Sequence, residues 1–301
     1  DEQHRFGIKQ RLELTAKSNG AKVLLMTATP IPRTLSMALY GEIELIYIKS
    51  KPKNRKDIIT KIFAKEKLPE IIEAIKRKIS ANEGVYWVVP FIETAEEEKA
   101  QKISIEERYE EILKHFNKED IGVIHGKRSD AEIALEMEKF LKGERKIILA
   151  TTVIEVGVDA PHASVIIIEE AESFGLSTLH QLRGRVGRSN LQSYCFLVSK
   201  SKSEDSLVRL KIIANSNDGF YIAEKDMEIR GSASIFSKMQ SGFEGFKFMN
   251  INEQKEEFIK AKTTSKTLFG KDPTLQTKEG EYLRLLLKIF NYENFLDYIK
   301  I

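Results

Sequence analysis

Residues 150–190 read ATTVIEVGVDAPHASVIIIEEAESFGLSTLHQLRGRVGRSN, an apolar run followed by a basic end that contains glycine. Near that end, Gln181, Arg185 and Arg188 stand at positions i, i+4 and i+7, so a helix would place them on one face. Planar guanidinium groups that are always charged suit phosphate oxygens. The spacing therefore predicts a basic helix face that contacts phosphate at the ligand-binding edge of its domain.

Two further features of this segment favour a ligand over an ordinary solvated surface. Gly184 and Gly187 would each cost a helix about 1 kcal/mol relative to alanine, which indicates close approach of another surface or a ligand. No acidic residue lies between Glu172 and Glu204. The alternative is a solvated basic face that pairs with acids from elsewhere, and the upstream sequence TTVIEVGVDAP argues against it.

Length and composition set broad limits on the kind of protein. A chain of 301 residues with 42% hydrophobic and 31% charged residues predicts one to three globular domains with a sizeable core. The 48 basic and 45 acidic residues give a net charge of +3. This balance does not by itself indicate a nucleic-acid-binding protein, so any basic surface must be local.

Targeting and redox signals are few. The single cysteine, Cys195, lies in an apolar run, which excludes a disulfide framework and predicts a buried thiol in an intracellular protein. No apolar run approaches the length of a membrane span, and no signal peptide is visible. The chain opens with DEQH, which is no initiator sequence, so we expect a piece of a longer protein.

Strand-like and helix-like runs alternate through the central region. The predicted strands cover residues 85–92, 121–125, 146–153, 164–171 and 193–199. Helical spacing occurs around residues 67–79, over the charged stretch 95–116, and from Ser129, where Glu132 completes a capping box, to Gly143. This alternation predicts a doubly wound parallel α/β sheet.

Ligands of such sheets bind at the carboxyl ends of the strands. Polar and basic residues lie at or directly after the carboxyl ends of the predicted strands at 121–125 and 146–153. After the first of these strands, a glycine and the start of a helix offer backbone N–H groups to phosphate. These residues are His125, Gly126, Lys127, Arg128, Thr151 and Thr152. For His125 alone, a plain core or turn histidine is an equal alternative.

The first fifty residues suggest part of a second nucleotide-binding lobe. Asp1 and Glu2 are adjacent carboxylates of the kind that hold Mg²⁺ and orient an attacking water, although two acids are otherwise ordinary surface residues. An apolar strand at residues 22–29 leads into TATPIPRT, which contains Thr27 and Thr29; a helix at 31–40 and a strand at 44–49 follow. No phosphate loop of the form G-x-x-x-x-G-K-[ST] occurs in the chain.

The motifs together resemble a superfamily 2 helicase. DEQH is similar to the second nucleotide motif of these proteins, TAT to the coupling motif, and residues 151–159 and 181–188 to the last two motifs. More narrowly, DEQHRFG, TATPIPRT, HQLRGRVGRS and DGFYIAEKDMEIRG resemble the RecG family of branch-migration DNA helicases. The transcription-repair coupling factor shares the last two, but its opening motif usually lacks a histidine at the position of His4.

The resemblance implies specific roles. Asp1 would hold Mg²⁺ and Glu2 would activate water for ATP hydrolysis, with Arg188 as the arginine finger that reaches the γ-phosphate bound on the other RecA-like lobe. Further nucleotide contacts would come from His4, Gly157, Asp159, Gln181 and Arg185. DNA contact or coupling would come from Thr27, Thr29, His125, Gly126, Lys127, Arg128, Thr151, Thr152, Arg230 and Gln240.

The C-terminal part reads as helical. Helices predicted at 203–215 and 220–229 resemble the hairpin of the RecG translocation motif, with Arg230 at its end and a loop containing Gln240 after it. This loop departs from the family pattern, since Ser232-Ala233-Ser234 replaces the usual Pro-Gly-Glu. A plain surface helix pair is the alternative. Residues 252–301 are predicted to be helical with a break at 270–273, and to pack on the motor.

The predicted architecture is a partial RecA-like lobe (1–49), a linker (50–61), a complete second RecA-like domain (62–200), a translocation hairpin and loop (201–250) and a helical tail (251–301). The predicted function is that of the C-terminal motor of an ATP- and Mg²⁺-dependent helicase that acts on branched or duplex DNA in a bacterial cytoplasm. It would be a monomer, would not contact membranes, and would work with a wedge and first-lobe region N-terminal to it.

Three alternatives remain open from the sequence: a coupling-factor-type translocase, an RNA helicase, and a non-catalytic nucleic-acid- or partner-binding module. The chain alone is expected to lack ATPase activity, because it has no phosphate loop.

Overall fold

The computed structural model describes residues 55–90, 105–151, 160–201, 203–230 and 254–289, with the isolated residues 24, 26, 46 and 48. The described ranges between 55 and 230 belong to one compact unit, and residues 254–289 belong to a second. None of the helices in these ranges is both long and apolar enough to cross a membrane.

A parallel sheet forms the centre of the first unit. Its strands in chain order are β1 (Ile59–Ala64), β2 (Gly84–Val88), β3 (Ile121–Ile124), β4 (Ile147–Ala150), β5 (Ala163–Glu169) and β6 (Tyr194–Ser199). They lie in the order β1-β6-β5-β2-β4-β3, and every pair is parallel. This arrangement confirms the predicted α/β fold with a doubly wound parallel sheet.

Helices connect and follow the strands. In the first unit they are α1 (Leu68–Ser80), α2 (Ile105–Ile112), α3 (Asp130–Leu141), α4 (Leu176–Arg183), α5 (Glu204–Asn215) and α6 (Gly219–Arg230). In the second unit they are α7 (Lys255–Lys271) and α8 (Lys278–Ile289). Short 3-10 turns at Lys65–Lys67, Lys118–Asp120 and Ala171–Ser173 complete the described elements.

Apolar side chains bury both faces of the sheet. Along β2, Tyr86 and Val88 pack in the core beneath α3, α4, α5 and α6, whereas Val85 and Trp87 pack in the core beneath α1 and α2. All seven residues of β5 are buried, as expected for a central parallel strand covered by helices on both faces. The continuous apolar run at residues 163–168 is therefore a consequence of two-sided burial.

The start of α3 shows how local sequence sets an element boundary. The Ser129 hydroxyl accepts the Glu132 N–H, and the Glu132 carboxylate accepts the Ser129 N–H, so the predicted capping box is present. Just after the helix end, Gly143 has a φ of +77°, a backbone conformation that glycine adopts without steric cost. Both ends of this helix were predictable because their signals are local.

Several element boundaries differ from the sequence predictions; β2, for example, ends at Val88 rather than at residue 92. Two further differences change an assignment. Residues 59–61 were predicted as linker but form the start of β1, which pairs with β6; the polar, basic flank concealed the apolar positions Ile59, Ile62 and Phe63. The break predicted at residues 270–273 begins at Asp272, because α7 continues through Gly270. The strands predicted at 22–29 and 44–49 and the helix at 31–40 lie outside the described residues.

Candidate functional site

Helix α4 and the turn after it carry the basic segment singled out in the sequence. The helix ends at Arg183 with Gly184 as its C-cap. The N–H groups of Arg185 and Val186 then donate to the carbonyl oxygens of Leu182 and Arg183, three residues back. We call residues Gly184–Arg188 the arginine turn.

The predicted single helix face for Gln181, Arg185 and Arg188 was wrong. Only Gln181 lies in the helix; the two arginines follow it in the turn. Gly187 adopts a φ of +78°, which an α-helix does not contain, and a Cβ there would lie 2.9 Å from Ile58 Cγ1. The glycine therefore marks a close approach, as predicted, but the approaching surface is the chain itself.

All three predicted phosphate contacts in this segment are partly exposed. The Arg188 Nε–H group donates to the Gly184 carbonyl oxygen at 3.2 Å, which closes the arginine turn on itself. The side chains of Gln181, Arg185 and Arg188 are thus neither fully buried nor fully solvated, a degree of exposure that suits contact with a ligand from another lobe.

Sequence reasoning missed Arg183, which is 2% exposed. Its guanidinium donates to the carbonyl oxygens of Ile213, at 2.5 Å, and Ser216, at 2.8 Å, and lies 3.1 Å from His180 Nδ1. These carbonyls belong to the C-terminal end of α5, where a cation is favoured by the helix dipole. A signal was available, because Arg183 follows Leu179 and Leu182 on the buried side of a short helix.

Burial around Arg183 also shifts two pKa values. Burial lowers the pKa of the Arg183 guanidinium, although arginine remains charged at neutral pH. Burial raises the pKa of the Cys195 thiol to about 12, and the charge of Arg183 opposes this increase. Cys195 is therefore a protonated core residue, as its apolar surroundings predicted.

The hairpin of α5 and α6 packs on α4 through its loop and first turn. A Cβ on Gly219, the first residue of α6, would lie 2.7 Å from His180 Nε2. In the loop between the helices, the Asn217 side chain donates to the Ile58 carbonyl oxygen at 3.4 Å. Ile58 thus contacts both the hairpin loop and, through Gly187, the arginine turn.

These contacts locate the arginine turn at the sheet. Ile58 precedes the first residue of β1, and Ser193, whose carbonyl oxygen accepts the Ile59 N–H, precedes the first residue of β6. The turn therefore lies beside the amino ends of β1 and β6. The expectation that it would share the edge at the carboxyl ends of the strands was wrong, because α4 returns across the sheet before the turn begins.

The second set of predicted residues does lie at the carboxyl ends. The loop His125–Arg128 follows β3; its Lys127 N–H donates to His125 Nδ1 at 3.3 Å, and its Arg128 N–H donates to the His125 carbonyl oxygen at 3.0 Å. Gly126 and Lys127 are exposed. This geometry leaves an open, basic loop at the point where α3 begins.

Thr151 lies next to this loop. It follows β4, its N–H donates to the Ile124 carbonyl oxygen at 3.2 Å, and it is 3% exposed. Its hydroxyl is buried without a hydrogen-bond partner in the part of the chain that the structure describes. A buried polar atom without a partner carries a free-energy penalty.

Several predicted site residues fall outside the described ranges. They are Asp1, Glu2, His4, Thr27, Thr29, Thr152, Gly157, Asp159 and Gln240. The backbone of Arg230 ends α6, while its side chain is not described. Over the described ranges, no group of three or more His, Cys, Asp or Glu residues could hold a metal ion; the predicted Mg²⁺ ligand, Asp1, lies outside them.

Comparison with known proteins connects these sites to a family. Residues 65–190 match the model of the helicase conserved C-terminal domain. An ATP-dependent DNA helicase RecG from Synechocystis is 42% identical to this chain over 298 residues, which is 98% of the chain. This chain belongs to the RecG family. A RecG from Aquifex aeolicus is 38% identical over 99% of the chain, and one from Staphylococcus epidermidis is 42% identical over 84%.

The chain covers 35% of the length of the Synechocystis RecG and 38% of the Aquifex RecG, so it spans little more than a third of these relatives. A solved structure of RecG bound to a three-way DNA junction matches 80% of the chain with a TM-score of 0.62 and 32% sequence identity, and the match covers 32% of that RecG. The sheet and its helices are thus a RecA-like helicase C-terminal domain.

Proposed function

We propose that this chain is the C-terminal motor part of a RecG-type, ATP-dependent DNA helicase that remodels branched DNA such as stalled forks and four-way junctions. Two findings support the proposal: the identity to RecG helicases over nearly the whole chain, and the likeness to a RecG bound to a three-way junction. We further propose that it acts as a monomer in a bacterial cytoplasm.

The observation that carries the proposal is the contact between the hairpin and the end of α4, which leads directly into the arginine turn. Arg183 donates to two carbonyl oxygens at the end of α5, and Gly219 at the start of α6 packs on His180. A displacement of the arginine turn by nucleotide would therefore be transmitted to the hairpin through buried, directional contacts. Coupling of this kind is what a motor needs between its ATP site and its DNA site.

The nucleotide side of the proposal uses partly exposed guanidinium groups. Arg188 would stabilise the charge that develops on the γ-phosphate, with Arg185 and Gln181 beside it. ATP and Mg²⁺ would be held mainly on the other RecA-like lobe, where Glu2 would orient water and Asp1 the metal. Gly157 and Asp159 would contact the ribose or the neighbouring motifs.

The DNA side uses the carboxyl-end edge. The side chains of Lys127 and Arg128 and the exposed backbone of Gly126 would contact phosphates, and His125 and Thr151 would support this loop at the same edge. Thr27, Thr29, Thr152, Arg230 and Gln240 are proposed to take part in DNA contact or coupling. Contacts of this kind carry no base specificity, which suits a protein that must move over any sequence.

The decisive test replaces the arginine finger in the full-length protein that contains this chain. Arg188→Lys keeps the charge but loses the planar fork, so DNA-stimulated ATP hydrolysis should fall about 10³-fold, while affinity for a model fork stays unchanged. Arg77→Lys, at an exposed position in α1, is the matched control and should leave the rate unchanged. ATPase rates that remain near those of the unchanged protein would remove Arg188 from the catalytic site.

A second test separates the DNA loop from the nucleotide site. Lys127→Gln should weaken binding to every DNA sequence to a similar extent and reduce the slope of log affinity against log salt by about 1. ATPase activity without DNA should not change. A salt slope equal to that of the unchanged protein would show that Lys127 does not contact phosphate.

The sequence as given should hydrolyse no ATP by itself, because it contains no phosphate loop. Robust ATPase activity from these 301 residues would contradict the proposed division of the site between two lobes. An RNA duplex bound as well as a DNA fork would favour the RNA-helicase alternative.

A further inference from the structure

A groove of about 580 Å³ lies beside β3, between α2 and the start of α3. This volume is within the range of pockets that bind ligands. Its apolar lining consists of Ile105 and Tyr109 from α2 and of Ile121 and Val123 from β3. The proposed nucleotide and DNA contacts leave most of this surface without a role.

The α2 side of the groove is acidic. Glu106 and Glu110 lie one turn apart, line the groove and are exposed. Neither carboxylate forms an ion pair with any residue that the structure describes. The helix that carries them is held from its other side, where Arg108 pairs with the buried carboxylate of Glu169 at 2.5 Å. The acidic wall is therefore fixed in place.

The opposite wall contains a second charged cluster. Arg145 Nε–H donates to Glu136 at 2.9 Å, and its NH1 group donates to the Glu119 carbonyl oxygen at 2.5 Å. The Arg145 side chain thus joins α3 to the turn before β3, and it packs over Gly122 of β3, where an added Cβ would lie 3.5 Å from Arg145 Cγ. An occupant of the groove therefore meets a pair of charged side chains at this wall.

Charge decides which kind of occupant fits. The groove lining contains four carboxylates (Glu106, Glu110, Glu119 and Glu136) and three cationic groups (Lys118, Arg128 and Arg145). Glu136 and Arg145 pair with each other, which leaves more acid than base available to a ligand. Single-stranded nucleic acid requires a positively charged groove, so an excess of carboxylates disfavours it.

We propose that this groove binds a short segment of a partner protein in which basic side chains flank an apolar one. The apolar side chain contacts Tyr109 and Val123, and the basic side chains pair with Glu106 and Glu110. This surface adjoins the His125–Arg128 loop, because His125 and Arg128 line one end of the groove. A bound partner would therefore lie next to the proposed DNA contact without using it.

The test is a titration of the 301-residue chain followed by NMR of its isoleucine methyl groups, with Ile105 and Ile121 as reporters. The probes are two tripeptides with blocked ends, Arg-Leu-Arg and Glu-Leu-Glu. Arg-Leu-Arg should shift both reporter methyls and saturate. The double variant Glu106→Gln/Glu110→Gln should lower the affinity for Arg-Leu-Arg about five-fold, because two exposed ion pairs are lost. The double variant Glu70→Gln/Glu73→Gln on α1 is the matched control.

Weaker binding of Glu-Leu-Glu, together with loss of the Arg-Leu-Arg response in Tyr109→Ala, would support the proposal. Three results would overturn it: equal responses to both tripeptides, an unchanged affinity in the Glu106→Gln/Glu110→Gln variant, or displacement of Arg-Leu-Arg by a thymidine oligonucleotide. Circular dichroism of each variant confirms folding, so a lost response is read as lost binding.

Discussion

The His125–Arg128 loop and the arginine turn at Gly184–Arg188 both present basic side chains, but different contacts hold them. The loop is exposed and is ordered by hydrogen bonds within itself and by the cap of α3. The arginine turn follows a buried arginine that donates to α5 and packs on Ile58 through a glycine. A local loop can change without disturbing its neighbours, whereas a turn tied to a hairpin transmits any change.

The largest expected effect comes from the buried end of α4. Arg183→Met should lower the free energy of unfolding by about 3 kcal/mol, because two carbonyl oxygens lose a charged donor. Arg128→Met, in the exposed loop, should change it by about 0.5 kcal/mol or less. Urea denaturation followed by the fluorescence of Trp87, the single and fully buried tryptophan, measures both. Equal effects would remove the distinction between the two regions.

The glycines of the arginine turn provide a second comparison. Gly187→Ala should cost about 2 kcal/mol, because its φ of +78° strains an alanine and the new Cβ would meet Ile58 at 2.9 Å. Gly184→Ala is the matched control: its φ is −66°, and its nearest neighbour is the Gln181 carbonyl oxygen at 3.2 Å. In thermal unfolding, the midpoint temperature of Gly187→Ala should be well below that of Gly184→Ala. The reverse order would contradict the conformation of the turn.

The dependence of stability on alkaline pH tests the core beneath α4. The Cys195 thiol has a pKa of about 12 in the folded protein against 9.0 for an unperturbed thiol. Above pH 9 the unfolded chain therefore loses a proton that the folded chain keeps, and folding becomes less favourable as pH rises towards 12. At pH 10 this loss amounts to about 1.4 kcal/mol. Cys195→Ala should abolish this part of the decrease in the free energy of unfolding between pH 8 and pH 10. Urea titrations at a series of pH values measure it.

The smallest expected effect concerns the loop side. Ser129→Ala should cost about 1 kcal/mol, because the hydroxyl caps α3 by accepting the Glu132 N–H. Ser203→Ala should lower the stability by only about a few tenths of a kcal/mol, since the Ser203 side chain forms no capping hydrogen bond to α5. Hydrogen exchange of the first turn of each helix checks the pair. Similar losses of protection at the two helices would argue against the capping box as the element that orders the loop.

Prediction succeeded where the signals were local. The five strands expected in the central domain are present because each is an apolar run bounded by turns, and the start of α3 follows from Ser129 and Glu132. It failed where distant residues decide the outcome. The strand β1 exists because residues 59–64 pair with β6; Ile59, for example, pairs with Tyr194, which is far away in the sequence. The helix expected to carry Gln181, Arg185 and Arg188 together ends at Arg183, and the turn after it contains Gly187, which has a φ of +78° and packs on Ile58.

The amino-acid sequence by itself determined the fold class, the family and the identity of the basic residues. The fold class and the family follow from periodicity, helix caps and short motifs, and each of these depends only on residues that are close together in the sequence. Tertiary structure decided where those residues lie: the arginine turn at the amino ends of the strands, the His125–Arg128 loop at the carboxyl ends, and Arg183 between α4 and α5. Each of these placements depends on contacts between segments far apart in the chain, which only the folded sheet brings together.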